Sequence, residues 1–266
     1  MHRDIVSELL KRLDLGYRRD SSTACLTEPM TSRLYFRQLL SGRDFARGSI
    51  LARRMANFAY LIGDRETKQA VVVDPAYSVR DLLGQLEEDG MTLVGVLATH
   101  FHPDHVGGGL MGVGIEGVRQ LLDLREVPVH VQRQESTWLR RVTGVSKDVV
   151  VEHASGDVVE VGAVPVELVH TPGHTPGSQC FLVGGRLVSG DTLFLEGCGR
   201  TDLPGSDPRA MYDSLFGRLA RVPDDTVLFP GHLYSAAPSA TMGETRRVNY
   251  VLAPRTPEQW LRLFGR

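Results

Sequence analysis

The chain has 266 residues, of which 42% are hydrophobic, and its 30 Lys and Arg residues nearly balance 32 Asp and Glu residues. This length suits one large α/β domain or two small ones, and the ordinary apolar fraction excludes a disordered chain. The balanced charge provides no basic surface for DNA or RNA, so we expect no nucleic-acid partner.

The cysteines and the apolar runs indicate the compartment. Cys25, Cys180 and Cys198 are odd in number and widely separated, so they predict neither a disulfide framework nor a CxxC metal motif. No apolar run approaches the length of a membrane span, and the N-terminus lacks the pattern of a signal peptide. We therefore expect a soluble, cytoplasmic protein without membrane contact.

Residues 1–48 differ in pattern from the rest of the chain. Ile5, Leu9 and Leu13 fall at helical spacing, and residues 33–40 are compatible with a second short helix. We predict an N-terminal helical arm over residues 1–48 and a catalytic domain over residues 49–266. The arm would pack on that domain or on a second copy of the chain in a homodimer.

From residue 49 onward, predicted strands alternate with predicted helices. The strands are expected at residues 58–65, 70–75, 93–99, 127–131, 149–151, 158–161, 164–169, 181–189 and 226–229. The helices are expected at residues 79–88, 116–124, 208–220 and 257–264. Because short turns such as Gly184-Gly185 join many strands, the pattern predicts two mixed β-sheets with outer helices.

The strongest chemical signal is the segment 99–105, Thr-His-Phe-His-Pro-Asp-His, at the end of a predicted strand. The two-residue spacing puts His100 and His102 on the same side of the chain, and Asp104 and His105 follow in the loop. Without a cation, these imidazoles and the carboxylate would repel or crowd one another. Since neutral imidazole and carboxylate are standard zinc ligands, the motif predicts a metal site.

Three later segments supply the same chemistry at the ends of other predicted strands. His174 follows a glycine after the strand at 164–169, Asp191 follows the hairpin, and His232 follows the last strand. Strand ends that converge on one rim are where α/β folds usually build their sites.

These residues resemble the metallo-β-lactamase superfamily, from about residue 55 to the end of the chain. The resemblance implies an α/β protein with an αβ/βα sandwich of two mixed β-sheets, outer helices and a paired metal site. It implies that Asp191 bridges the two metals, one of which is bound by His100, His102 and His174, and the other by Asp104, His105 and His232.

Within the superfamily, the chain is most similar to glyoxalase II (hydroxyacylglutathione hydrolase) and to the ETHE1-type persulfide dioxygenases. The similar segments are 60–66 with 73–75, 172–177, and 190–194 with 197–202. The leading expectation is a hydrolase that uses water activated by two Zn²⁺ ions to cleave a thioester of a small, anionic or glutathione-linked molecule. Asp104 would move a proton, and Arg200 would anchor a substrate carboxylate. Tyr234 would bind a substrate oxygen or lie at the surface.

The alternative function is a persulfide dioxygenase with one Fe²⁺ held by His100, His174 and Asp191. The motif fits both reactions, although only 34 residues follow His232, which is short for the helical C-terminal domain of glyoxalase II. The segment between His105 and His174 is in turn longer than expected for the dioxygenase. A lactonase and a non-catalytic scaffold have less support.

The roles of some neighbouring polar residues stay open at this level. Asp74 either orients a ligand histidine or caps a turn. His170 is expected to bond to the backbone, and the pattern assigns no partner to His130 or His153.

Overall fold

The computed structural model describes residues 30–110, 112–254 and 256–264, and its side chains from residue 32 onward. The predicted helix near Ile5 lies outside the described residues. The described strands are β1 Leu34–Leu40, β2 Phe58–Asp64, β3 Gln69–Val73, β4 Thr92–Leu97, β5 Gly108–Leu110, β6 Val113–Ile115, β7 Val129–Gln132, β8 Val150–His153, β9 Val158–Val161, β10 Val164–His170, β11 Gln179–Val183, β12 Arg186–Gly190, β13 Val227–Pro230 and β14 Ala240–Thr241. The described α-helices are α1 Met30–Arg33, α2 Ile50–Met55, α3 Val79–Glu88, α4 Pro103–Val106, α5 Val118–Leu124, α6 Ser136–Thr143, α7 Pro208–Asp213, α8 Met242–Val248 and α9 Pro257–Phe264.

Two six-stranded mixed sheets form the scaffold, as the sequence predicts. The first has the order β1-β2-β3-β4-β7-β8 and the second has the order β14-β13-β12-β11-β10-β9. Antiparallel hairpins build one part of each sheet, while β3, β4, β7 and β8 run parallel, as do β12 and β13. The short turns and the crossover helices therefore both contribute to the sheets.

The main core lies between the two sheets. Phe58 and Ile62 of β2 belong to one buried cluster with Val166 of β10 and Phe181 of β11. The helices cover the outer faces, and Trp260 of α9 is fully buried against the second sheet in a separate cluster. Because both faces are covered at the centre of the first sheet, β2 is buried along its whole length, whereas β9 and β10 at the edge of the second sheet alternate buried and exposed residues.

The predicted helix at residues 33–40 is wrong, because residues 34–40 form strand β1. All seven residues pair with β2 in antiparallel register, so this part of the predicted arm belongs to the first sheet. Leu34 packs in the central core, whereas Tyr35 packs in the cluster on the outer face. A strand buried on both faces loses the period-two pattern that identifies strands, and its apolar residues then imitate helical spacing. For residues 1–29, the arm stays a prediction.

An ion pair between the partly exposed Arg33 and the buried Asp64 fixes the start of β1. Arg33 donates to both carboxylate oxygens of Asp64 at 2.9 and 2.7 Å, and the amide of Ala163 donates to the same carboxylate at 2.8 Å. Burial opposes the charge of Asp64, but these hydrogen bonds outweigh it and hold the pKa of Asp64 below its usual range. The pair thus links β1 and β2 to the β9–β10 turn of the second sheet.

Several boundaries differ from the predicted ones. Helix α5 begins at Val118 rather than at residue 116, because β6 and Gly117 precede it. The sequence patterns did not predict the β5–β6 hairpin or the helices α2, α6 and α8. Within the described residues, every helix is too short or too polar to cross a bilayer.

Candidate metal centre

The ends of four central strands deliver the polar side chains to one edge of the sandwich. The segment from Ala98 to His102 follows β4, Asp191 follows β12 directly, and His232 follows β13. The loop after β10 carries His174. The backbone is closely packed here, because a Cβ on Gly199 would lie 2.0 Å from the carbonyl oxygen of Asp191 and 2.9 Å from the His174 ring. Glycine is therefore required at this position.

Three imidazoles form a first group, the histidine cluster, which consists of His100, His102 and His174. Their potential ligand atoms all lie within 4.8 Å of one another. The ring centroids are 4.6–4.8 Å apart, and His102 Nδ1 lies 2.9 Å from His174 Nε2. Such spacing allows the three rings to bind one cation.

A second group, the mixed cluster, consists of Asp104, His105 and His232. Its potential ligand atoms also lie within 4.8 Å of one another, and the two Nε2 atoms of its histidines are 3.2 Å apart. Oδ2 of Asp104 lies 3.6 Å from His105 Nε2 and 3.5 Å from His232 Nε2. The family resemblance implies that these three residues share one metal, and the structure brings them together.

Asp191 lies between the two clusters. One of its carboxylate oxygens is 3.6 Å from His174 Nε2 and 3.4 Å from His232 Nε2. The other oxygen is 3.4 Å from His105 Nε2. This location is compatible with the bridging role that the sequence predicts.

The outer ring nitrogens are held by other parts of the protein. Nδ1 of His174 lies 2.8 Å from the carbonyl oxygen of Arg200, and Nδ1 of His232 lies 2.8 Å from that of Met55. Since a carbonyl oxygen only accepts, both Nδ1 atoms donate, and the Nε2 lone pairs point to the centre.

Asp74 holds His105 in the same way, with 2.9 Å between its carboxylate and Nδ1 of the ring. It also accepts hydrogen bonds from the amide and the hydroxyl of Thr99. Of the two roles left open for Asp74, the structure thus supports the orientation of a histidine. Partners of this type fix the tautomer of a metal-binding imidazole.

The donor atoms themselves indicate that the centre fits a cation. His100 Nε2 and Asp191 Oδ1 are buried and have no hydrogen-bond partner in the part of the chain that the structure describes. The tethered outer nitrogens also leave the Nε2 lone pairs of His105 and His232 facing each other at 3.2 Å. Buried acceptors of this kind need a proton or a cation between them, so the residues present fit a bound metal.

The two clusters differ in their electrostatics. Burial and the neighbouring imidazoles keep the pKa of His100 well below its usual range, and burial lowers the pKa of His102 to about 4. Burial also disfavours the charged form of His105, but Asp191, Asp104 and Asp74 outweigh it and raise its pKa to about 10. The histidine cluster is therefore neutral, whereas the mixed cluster balances positive imidazoles against carboxylates.

Asn57 is a contact of the mixed cluster that the sequence patterns did not identify. Tyr77 donates its hydroxyl hydrogen to Asn57 Oδ1 at 2.9 Å, which turns Nδ2 toward the cluster. Nδ2 lies 3.1 Å from Asp104 Oδ2 and 3.2 Å from His105 Nε2. A lone asparagine between a helix and a strand carries no signal in one sequence, so only the structure reveals this contact.

A cavity of about 570 Å³ opens over both clusters. Apolar side chains line much of it, among them Met55, Leu110, Phe194 and Leu203. The volume and the lining suit a small organic substrate with an apolar portion.

The two predicted substrate contacts both line this cavity. Arg200 is exposed, and its guanidinium forms a two-point pair with Asp202 at 2.9 and 2.8 Å. A substrate carboxylate would therefore compete with Asp202. Tyr234 is half exposed and stacks on the His232 ring at 4.6 Å.

The other histidines among the described residues lie away from the centre. His170 Nε2 contacts the carbonyl oxygen of Pro176 at 2.9 Å, which agrees with the expected backbone bond. His130 and His153, for which the sequence indicated no partner, bond to each other at 2.9 Å across β7 and β8. Cys198 lines the cavity, and burial raises the pKa of its thiol to about 12.

Comparison with protein families matches residues 52–232 to the model described as the metallo-beta-lactamase superfamily. This segment includes the three residues of the histidine cluster, the three residues of the mixed cluster, and Asp191. The chain belongs to this superfamily. It is accordingly a metal-dependent enzyme that acts on a small-molecule substrate, and the predicted fold is confirmed.

Three similar proteins belong to two enzyme types, the persulfide dioxygenases and the hydroxyacylglutathione hydrolases. The human persulfide dioxygenase ETHE1 is 30% identical over 238 residues, which are 86% of each chain. The crystal structure of ETHE1 from Myxococcus xanthus is 29% identical, with a TM-score of 0.71, over 87% of this chain and 90% of that one. The hydroxyacylglutathione hydrolase of a Synechococcus strain is 35% identical over 187 residues, 67% of this chain and 65% of that one.

Proposed function

We propose that this protein is a persulfide dioxygenase that uses one Fe²⁺ ion. The observation that carries the proposal is the extent of the match: similarity to the ETHE1 proteins runs over about nine-tenths of both chains. The similarity to hydroxyacylglutathione hydrolase leaves about a third of that enzyme unmatched. The dioxygenase, which was the alternative on the sequence alone, therefore becomes the first candidate, and the thioester hydrolase becomes the second.

His100, His174 and Asp191 would hold the iron. Two imidazoles and one carboxylate on Fe²⁺ leave coordination positions open for O₂ and substrate, which is the chemistry that the metal supplies. The neutral state of His100 and His174 suits this task, because a metal ligand must be deprotonated. The bond between His174 Nδ1 and the Arg200 carbonyl keeps the ring oriented before the metal binds.

The cavity residues would bind and orient the persulfide. Phe194 and Leu203 offer apolar contacts to the carbon portion, and Arg200 offers a guanidinium once it leaves Asp202. This exchange costs little, because the Arg200–Asp202 pair is exposed to solvent. Asp104 lines the same cavity and would accept a proton from the substrate or from water. The overall reaction converts persulfide, O₂ and water to thiol and sulfite.

The test of this proposal is to assay the purified protein with glutathione persulfide and, in parallel, with S-lactoylglutathione. We expect persulfide-dependent O₂ uptake with sulfite formation, and no thioester hydrolysis above the uncatalysed rate. The Asp191→Ala variant is the control. Thioester turnover without O₂ uptake would overturn the proposal. If neither substrate reacted, the proposal would also be wrong, and a lactone would be the next substrate to assay.

The second candidate is a thioester hydrolase with two Zn²⁺ ions. The observation that favours it is the complete mixed cluster, which opens into the same cavity and shares Asp191 with the histidine cluster. A two-metal enzyme would use Asp104, His105 and His232 as ligands of the second Zn²⁺. Two Zn²⁺ ions per chain in the active protein, together with thioester turnover, would support this candidate instead.

A further inference from the structure

Glu135 is a buried carboxylate that belongs to neither cluster. It directly precedes helix α6, and its exposed fraction is 0%. Its Oε1 accepts hydrogen bonds from the Phe101 amide at 2.7 Å and the Thr175 hydroxyl at 2.8 Å. Its Oε2 accepts from the Gly177 amide at 2.7 Å. A single side chain thus joins three donors from two loops.

These two loops carry the whole histidine cluster. Phe101 lies between His100 and His102 in the loop after β4, and Thr175 follows His174 in the loop after β10. The loops belong to different sheets, and Glu135 comes from a third segment between β7 and α6. Its hydrogen bonds therefore connect the residue between His100 and His102 with two residues that follow His174.

The surrounding chain is shaped for this contact. A Cβ on Gly177 would lie 2.5 Å from the Glu135 Cβ and 2.6 Å from its Oε2. Glycine thus allows the loop to approach the carboxylate closely. The chemistry also specifies glutamate, because a glutamine has one acceptor oxygen and would direct its own N–H group at the Gly177 or Phe101 amide.

We propose that Glu135 is a positioning residue, which sets the separation of the three imidazoles before a cation binds. It acts through the Phe101 amide and through Thr175 and Gly177, and it touches neither cation nor substrate. The proposal rests on the proposed role of the histidine cluster in metal binding, but it holds for iron and for zinc. Burial raises the pKa of Glu135 to about 7, and the three donors oppose this shift, so its ionised form makes the stronger bonds to both loops. Groups that bond a metal ligand directly typically change metal affinity 10- to 100-fold, and Glu135 acts one residue further away, so the lower end of that range is expected.

The experiment compares Co²⁺ binding by the wild type and the Glu135→Gln variant, measured by competition with a chromophoric chelator. We expect Glu135→Gln to weaken Co²⁺ binding at the histidine cluster by roughly 10-fold and to change the visible absorption spectrum of the bound Co²⁺. Thr143→Ala is the matched control. Its hydroxyl is also buried in α6 but bonds to the Leu139 carbonyl and the Val145 amide, so affinity and spectrum should stay at wild-type values.

Thermal unfolding of the metal-free proteins separates positioning from stability. If Glu135→Gln lowers Tm but binds Co²⁺ with wild-type affinity and spectrum, Glu135 only stabilises the fold and the proposal is wrong. If that variant does not fold, Thr175→Val removes one of the three hydrogen bonds and should weaken Co²⁺ binding in the same direction. Unchanged binding in Thr175→Val would then refute the proposal. A wild type that binds no Co²⁺ would instead overturn the ligand assignment itself.

Discussion

The histidine cluster and the mixed cluster lie side by side, but their buried imidazoles differ in charge. In the histidine cluster, burial keeps the imidazoles neutral, and His100 Nε2 has no hydrogen-bond partner among the described residues. In the mixed cluster, the carboxylates of Asp74, Asp104 and Asp191 favour protonated imidazoles and raise the pKa of His105 to about 10. Asn57 adds a donor there.

This difference shows that the two clusters are not equivalent as metal sites. In the histidine cluster, His100 Nε2 is an acceptor without a partner among the described residues, so a cation satisfies it directly, and only the contact between His102 Nδ1 and His174 Nε2 must open. The mixed cluster already balances its charges internally, so a cation must displace those interactions. The comparison supports the proposal that a chain with both ligand sets can operate with one metal, and five substitutions, one of them a stability control, test it.

The largest effect is expected from Asp191→Ala, because this residue contacts both clusters. Its loss should lower activity by well over 100-fold, beyond the range typical of residues that act through a ligand. The check is steady-state O₂ uptake together with metal analysis. Wild-type activity in this variant would show that the reaction occurs elsewhere.

The next test substitutes one histidine from each cluster. His174→Ala should abolish persulfide oxidation and iron binding, whereas His105→Ala should retain most of both, because only His174 belongs to the proposed iron site. The two variants form a matched pair, since both residues are buried histidines whose Nδ1 is tethered. If both variants lost persulfide oxidation and iron binding to the same extent, the claim that only the histidine cluster contributes to the iron site would be wrong.

A smaller effect is expected from Asp74→Asn, which leaves every proposed ligand in place. The amide would present an N–H group either to His105 Nδ1 or to the Thr99 amide, and this disturbs the orientation of the His105 ring. Zinc affinity of the mixed cluster should fall by about 10- to 100-fold. The histidine cluster should lose less, because Asp74 reaches His100 only through the Thr99 hydroxyl, which lies 3.0 Å from His100 Nδ1. Zn²⁺ titration of the metal-free protein, followed by calorimetry, measures the two sites separately.

The smallest effect on the metal centre is expected from Asp64→Asn, which serves as a stability control. Loss of the charged hydrogen bonds from Arg33 and Ala163 should cost about 2 kcal/mol and lower Tm by roughly 4–8 °C, without a change in metal content.

The pH dependence of this control has a definite sign. The folded-state pKa of Asp64 lies below its ordinary value of 3.8, so its ionised form stabilises the fold above that value. The stability difference between wild type and Asp64→Asn should therefore be constant above about pH 5. It should shrink as the pH falls below 3.8, which denaturant unfolding between pH 3 and 7 would reveal.

The sequence was informative where a residue's role depends on its immediate neighbours. The spacing of His100, His102, Asp104 and His105 is a local pattern, and the positions of the later ligands follow from the ends of apolar strands. The residues that the sequence did not identify act over long separations. Asn57 reaches Asp104 across 47 positions and Glu135 reaches Gly177 across 42, and each is a single polar residue without a motif.

The error at β1 has a related cause. Leu34 and Tyr35 are both buried, although adjacent strand residues point to opposite faces. Only the presence of helix packing on the outer face explains this pattern, and such packing is a tertiary property. The pairing of Arg200 with Asp202 is local, but the sequence alone gives no reason to choose it over a substrate carboxylate.

The most direct test of the account is an anaerobic titration of the metal-free protein with Fe²⁺, followed by measurement of persulfide-dependent O₂ uptake at each step. The account predicts that activity rises linearly and reaches its plateau at one Fe²⁺ per chain. A plateau at two metal ions per chain, or activity that appears only as thioester hydrolysis with Zn²⁺, would contradict it.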